Sequence, residues 1–227
     1  MWILGLTGAM GAGKSTLAKY LRLMGVPVHC ADKEVHLLLR KDHDIQQKVK
    51  DRWPDVFVKG EIYRFLLGDR VLYSSSDLMQ LEEILYPKLA QRQKEFLLKN
   101  QKNKSPLVVL DVPLLLEVGL DRYCHYVILA IAPRLLRKQR SLGRKGMSLK
   151  KFQAFESHQM NDVERKKRAD FIIPCGREKG SALQRIGQIL YELSQQSSPK
   201  WQGRWPINFK RETYGTRNRF RHRNNRV

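Results

Sequence analysis

Cysteine is scarce: the 227 residues hold three, Cys30, Cys124 and Cys175, far apart and with no C-x-x-C spacing. That excludes a disulfide framework and a zinc-finger-like cluster, and a reducing cytoplasmic setting is expected. No apolar run approaches the ~18 residues that a membrane-spanning helix needs. The opening MWILGLTGAM has no basic leader, so neither membrane insertion nor secretion is expected. With 9 Pro and 15 Gly the chain is neither collagen-like nor of low complexity, and no internal repeat suggests a solenoid. Acidic residues are in deficit as well, 22 Asp and Glu against 43 Lys and Arg. The resulting net charge of +21 points to anionic partners such as nucleotides, nucleic acid or an acidic surface.

What is present is a 42% hydrophobic chain of a length suited to one large domain. Residues 2–7 are apolar and β-compatible, and a glycine-rich turn separates them from 15–24, where Leu17, Tyr20, Leu21 and Met24 recur at helical spacing. Residues 26–29 suit a short second strand, and Asp32 stands where an N-cap would open a helix. From 34 to 104 strand signals are poor and helical periodicity is good, as in Leu78, Leu81, Ile84 and Leu85, with Trp53-Pro54 and Tyr86-Pro87 as interruptions. Compact apolar runs at 107–110 and 126–131 read as buried parallel strands. A charged helical stretch over 134–168 follows, then a strand at 170–173 and an amphipathic helix at 182–193. The order predicts an α/β domain over 1–196: a three-layer arrangement of a parallel central sheet between helices, a helical insertion and a helical lid. Residues 197–227 carry nine basic residues against Glu212 alone and are expected to form a disordered tail. Trp201, Trp205, Phe209, Tyr214 and Phe220, interleaved with arginines, would suit stacking on single-stranded RNA if that tail bound nucleic acid.

Gly8-Ala9-Met10-Gly11-Ala12-Gly13-Lys14-Ser15 fits G-x-x-x-x-G-K-[ST] in full, after a strand and before a helix. In such a loop the backbone amides converge on phosphate oxygens, the Lys14 ammonium reaches the β- and γ-phosphates, and the Ser15 hydroxyl can ligate Mg²⁺. Asp111, ending the strand LVVLD, stands where these folds keep a carboxylate near the metal. Asp32 follows the second strand, so it suits either a general base in the crevice or a helix N-cap. Arg137, Arg140 and Arg144 recur at three- and four-residue spacing, and on a helix they would share a side from which to close over phosphates.

With these residues and the run Asp111-Val112-Pro113-Leu114-Leu115-Leu116-Glu117 in hand, residues 1–193 resemble the dephospho-CoA kinase family of P-loop, nucleoside-monophosphate-kinase-like enzymes. GLTGAMGAGKS is similar to the family's GLTGGIGSGKS, VPVHCAD to its strand ending in D-A-D, and DVPLLLE to its DVPLLFE. Arg140 and Arg144 match its R-x-x-x-R lid, which Gln159 and Ala169-Asp170 follow. The resemblance implies transfer of phosphate from ATP to the 3′-hydroxyl of dephospho-CoA. Gly11, Ala12, Gly13, Lys14, Ser15 and Thr16 would hold ATP, Ser15 and Asp111 the Mg²⁺, and Asp32 would be the base. Arg140 and Arg144 would clamp phosphates, and Arg64, Tyr86, Pro113, Leu114 and Leu115 would line the acceptor's side. Cys30, Tyr86 and Pro174 depart from the family's Asp, His and Asn. Another P-loop small-molecule kinase, or an RNA-binding protein acting through 197–227, are the alternative readings.

Overall fold

Strand β1 (Trp2–Gly8), helix α1 (Lys14–Leu23), strand β2 (Val28–Cys30) and helix α2 (Ala31–Lys41) open the chain in the computed structural model, which describes residues 1–176 and 179–211. Helix α3 (His43–Arg52), a small hairpin of β3 (Phe57–Val58) and β4 (Glu61–Ile62), α4 (Arg64–Leu72) and α5 (Ser75–Lys102) follow. Then come β5 (Leu107–Asp111), β6 (Tyr126–Ile131), α6 (Arg134–Leu142), α7 (Leu149–Ser157), α8 (Asp162–Arg168), β7 (Phe171–Pro174) and α9 (Lys179–Ser194). Five strands form one parallel sheet in the order β2-β5-β1-β6-β7.

Side chains alternate between the two faces of the sheet. Ile3, Val108 and Leu110 join a core with Leu89, Ala90 and Leu97 of α5, whereas Leu4, Leu6, Val109 and Ile128 join one with Leu17 and Leu21 of α1 and Ile186 and Ile189 of α9. Helices on both faces explain why β5 is buried throughout and reads as a continuous apolar run. Register aligns the carboxyl ends: Leu6 and Cys30 both lie opposite Asp111, so the loops leaving β1, β2 and β5 share one crevice. Helices α2 to α5 close a third core of their own around Leu39, Ile45, Val49, Trp53, Leu67 and Leu85.

Three local expectations need correction. Pro87 does not interrupt its helix; α5 runs unbroken for 28 residues. Pro87 and Glu83 are both exposed, so the carbonyl deprived of its donor lies on the watered side, while Leu81, Leu85, Leu89 and Ala90 hold the other side in the core. The β3–β4 hairpin was not expected from the poor strand signal; it turns through Lys59 (φ 53°) and Gly60 (φ 82°), the paired positive φ of a tight two-residue turn.

The third correction concerns 198–211, which is no free tail. Trp201, Trp205 and Phe209 are buried in the same core as Leu89 and Leu97. The segment runs as a strap along α5 in the opposite direction. Gln101 Nε2 donates to the Trp201 carbonyl at 2.9 Å, the Phe209 ring lies 4.6 Å from that of Tyr86, and Arg211 reaches Glu82. At its start the Met1 amine donates to Ser198 Oγ (3.1 Å) and the Pro199 carbonyl (2.5 Å). Averaging composition over 197–227 hid the four-residue recurrence of large aromatics, because the arginines crowd beyond 211. Buried rings at 201, 205 and 209 are closed to stacking on RNA; Tyr214 and Phe220 lie outside the described residues.

Candidate active site

The loop between β1 and α1 can exist only with glycine at two positions. Gly11 (φ 76°) and Gly13 (φ 104°) are left-handed, and a Cβ would meet the Arg137 carbonyl at 2.5 Å on the first and Cys175 Cβ at 2.7 Å on the second. Gly13 caps α1 without a side chain, so the unpaired amides of the first helical turn face the loop. Lys14 begins the helix, and its ammonium forms an ion pair with the buried Asp111 carboxylate at the end of β5. Ser15 and Thr16 are exposed to the same space.

That space is a cleft of about 610 Å³. One end is lined by Gly11, Ala12, Gly13, Lys14, Ser15 and Thr16, with Arg140 and Arg144 beside them. Asp32 stands in its wall. Of the two readings of Asp32, the N-cap is absent: α2 begins at Ala31, Cys30 is its cap residue, and Asp32 sits in the first turn. Open to the cleft yet surrounded by protein, its carboxyl is pushed up by desolvation, against the pull of Lys14 and with the repulsion of Asp111; His36 and Arg144 pull it down. A carboxylate held above its ordinary pKa is a better proton acceptor.

The lid arginines divide their tasks. Arg140 is half-buried and donates to the carbonyls of Gly11 (3.3 Å), Cys175 (2.8 Å) and Gly176 (2.6 Å), which fixes it across the phosphate loop. Arg144 lies past the end of α6 and is exposed to the cleft. Arg137 does not join them: it is 6% exposed and paired with Glu156 (3.3 Å) and Asp162 (3.5 Å). The helical spacing misled because Arg137, although on α6 with Arg140, turns to the carboxylates of Glu156 on α7 and Asp162 on α8, while Arg144, past the end of α6, still reaches the cleft.

Of the acceptor-side residues, Pro113 and Leu114 line the cleft and the Pro113 carbonyl accepts from Thr7 Oγ1 at 2.9 Å. Leu115 is fully buried in the core beneath them. Tyr86 points instead into the packing with Phe209 and Glu82. Arg64 is exposed at the start of α4, close enough to help depress His36 after the larger effect of burial. Glu117 serves structure: buried, it accepts from the Met160 amide (2.9 Å) and Arg165 (3.4 Å) at the base of the lid.

Several cleft residues escaped the sequence reading. The end away from the phosphate loop is apolar, with Val71, Leu72, Leu78 and Phe155, and carries Glu82, His158 and Arg211 as polar groups. No motif marks them, because they come from three separate segments that meet only in the fold. Gln159, noted for its place after the lid, lines the cleft and accepts from the Met10 amide at 3.2 Å.

A phosphate loop, a raised carboxylate in the same cleft and two arginines beside the loop form the constellation of a phosphoryl-transfer site. Comparison with known proteins agrees. Residues 2–179 match the family model described as CoaE, dephospho-CoA kinase. Curated relatives named dephospho-CoA kinase include that of Mesorhizobium japonicum, 37% identical over 193 residues (85% of this chain, 97% of the relative). Another, from Gluconobacter oxydans, is 36% identical over 203 residues (87% of this chain, 100% of the relative). Among solved structures, TT1252 from Thermus thermophilus superposes with a TM-score of 0.71 at 31% identity (85% of this chain, 97% of that one). The dephospho-CoA kinase from Campylobacter jejuni shares the fold, with a TM-score of 0.60 at 24% identity over 85% of this chain and 97% of that one. The match covering most of the chain, and the phosphate-loop, carboxylate and arginine set within it, establish that this chain is a kinase belonging to the dephospho-CoA kinase family.

Proposed function

We propose that this chain transfers the γ-phosphoryl group of ATP to the 3′-hydroxyl of dephospho-CoA, yielding coenzyme A and ADP. The observation that carries the reading is the shared cleft: Asp32 lines the same space of about 610 Å³ as the phosphate loop and the apolar side chains of Val71, Leu72, Leu78 and Phe155. The loop from Gly11 to Thr16 would bind the triphosphate, with Lys14 on its β- and γ-oxygens. The acceptor's 3′-oxygen attacks the γ-phosphorus while the bond to the bridging oxygen of ADP breaks in line. Asp32 orients that hydroxyl and takes its proton, then returns it to solvent. Arg140 and Arg144 offset the charge spread over the transferring oxygens.

The residues present also fit Mg²⁺. Ser15 and Asp111 offer hard oxygen donors, and among the described residues no group of three His, Cys, Asp or Glu forms a cage. Such a pair suits an ion that takes one or two protein ligands and completes its shell with phosphate oxygens and water. When bound, the ion supplies charge neutralisation at the phosphates. Three cysteines far apart in the sequence, with no C-x-x-C spacing, support a reducing, cytoplasmic setting.

The test is incubation with Mg-ATP and dephospho-CoA, read by mass spectrometry for coenzyme A against a control without acceptor. Asp32→Ala is expected to lower kcat by about 10²-fold or more while the KM for ATP stays within about twofold. Near-normal turnover by that variant would remove Asp32 from the base role.

A further inference from the structure

Arg211 belongs to the strap, beyond the 2–179 stretch that matches the family, yet its side chain lines the same cleft as Asp32, Pro113 and Leu114. The curated relatives above are covered almost completely while 85–87% of this chain is matched, so part of this chain has no counterpart in them. The strap is anchored at both ends and in the middle: Met1 on Ser198 and Pro199, Trp201 and Trp205 in the core, Phe209 on Tyr86. Its last described residue is therefore presented by a fixed backbone.

The guanidinium is oriented as well. Nε donates to Glu82 Oε1 at 2.7 Å and Nη1 to the His158 carbonyl at 3.0 Å, and neither bond uses Nη2. His158 is itself held to the Leu72 carbonyl at 2.9 Å, so the strap, α5, the lid and the end of α4 converge on one cation. A guanidinium carries five N–H donors in a rigid fork; two bonds fix its plane and leave donors for an anion. Tyr86 and the Glu117 carboxylate also act on this guanidinium, and Val71, Leu72 and Leu78 line the cleft with it, so its remaining donors can anchor a charged group of the acceptor.

We propose that Arg211, delivered by the C-terminal strap, is a specificity-determining residue of the acceptor site and hydrogen-bonds the diphosphate of the acceptor, with Glu82 as the carboxylate that orients it. The proposal rests on the dephospho-CoA reading above, since the diphosphate is the anionic group of that acceptor.

Full-length wild type, Arg211→Ala and Arg211→Lys would be titrated with dephospho-CoA and with ATP, with the thermal midpoint of each recorded. Loss of a charge-assisted bond is expected to weaken dephospho-CoA binding by at least about tenfold in Arg211→Ala. ATP binding should stay within about twofold, Arg211→Lys should recover part of the loss, and the KM for dephospho-CoA should rise while kcat at saturation holds. Unchanged acceptor affinity would overturn the proposal. So would a loss shared equally with ATP, or a loss without rescue by lysine and accompanied by a lowered midpoint, either of which would make Arg211 a structural prop. If the wild type bound dephospho-CoA but made no coenzyme A, the functional reading would fail while Arg211 was still judged by the binding ratio. If the wild type did not bind dephospho-CoA, both would fall.

Discussion

His29 shows what one buried side chain can do to the pH range of the whole protein. It lies in β2 at 6% exposure, against the ring of Phe96, with neither ring nitrogen hydrogen-bonded. Burial lowers its pKa from 6.5 to about 4, although the Asp111 carboxylate pulls the other way. The unfolded chain therefore binds a proton at His29 between those values and the folded chain does not, so stability falls as pH drops below about 6.5. At pH 5 the expected loss from this group is about 2 kcal/mol. His29→Leu should abolish that share, and urea unfolding of both proteins at pH 7.5 and pH 5 would measure it; an identical acid loss in the variant would exclude His29 as its source. Lys14 and the glycines of the phosphate loop were legible in the sequence because each is demanded by chemistry at a fixed spacing, whereas the residues alone left Asp32 between base and N-cap. Leu115 was not separable from Leu114, since two adjacent leucines after a strand give no sign of which faces the cleft and which the core.

At the scale of elements, the phosphate loop and α6 touch backbone to backbone. Gly11 meets the Arg137 carbonyl and Ser141, so there is no room between loop and lid for even a methyl group. Gly11→Ala combines that overlap with a left-handed φ, a strain of about 1–3 kcal/mol. We expect at least about tenfold weaker ATP binding and a Tm lower by about 2–10 °C, read by calorimetry and by scanning fluorimetry. A variant matching the wild type in both would mean that loop and lid separate freely. Strands β5 and β6 were readable as compact apolar runs, and the central part of the helical insertion from its helical periodicity. The hairpin and the continuity of α5 were not, because a two-residue strand has no period to detect and a proline on the wet side of a long, well-packed helix costs less than its usual effect suggests.

For the molecule as a whole, the strap is part of the core. Deleting 198–227 removes three aromatics buried at 6–8% exposure and uncovers Leu89, Ala90 and Leu97 beneath them. Full burial of one such side chain is worth about 1.5–3 kcal/mol, so the truncated protein should melt at least about 10 °C lower. An unchanged melting temperature would show that the strap adds nothing to stability. Composition could not reveal this, because charge in the last residues dominated the average, whereas recurrence of Trp201, Trp205 and Phe209 at four-residue intervals was the available signal. The sheet itself has a further property. Its edges are β2, three residues long, and β7, four residues ending at Pro174, which has no N–H to offer. Neither edge presents a long row of free donors and acceptors, so the sheet is a poor template for adding strands from another chain, and its five-stranded width is protected against edge-to-edge aggregation by its own geometry.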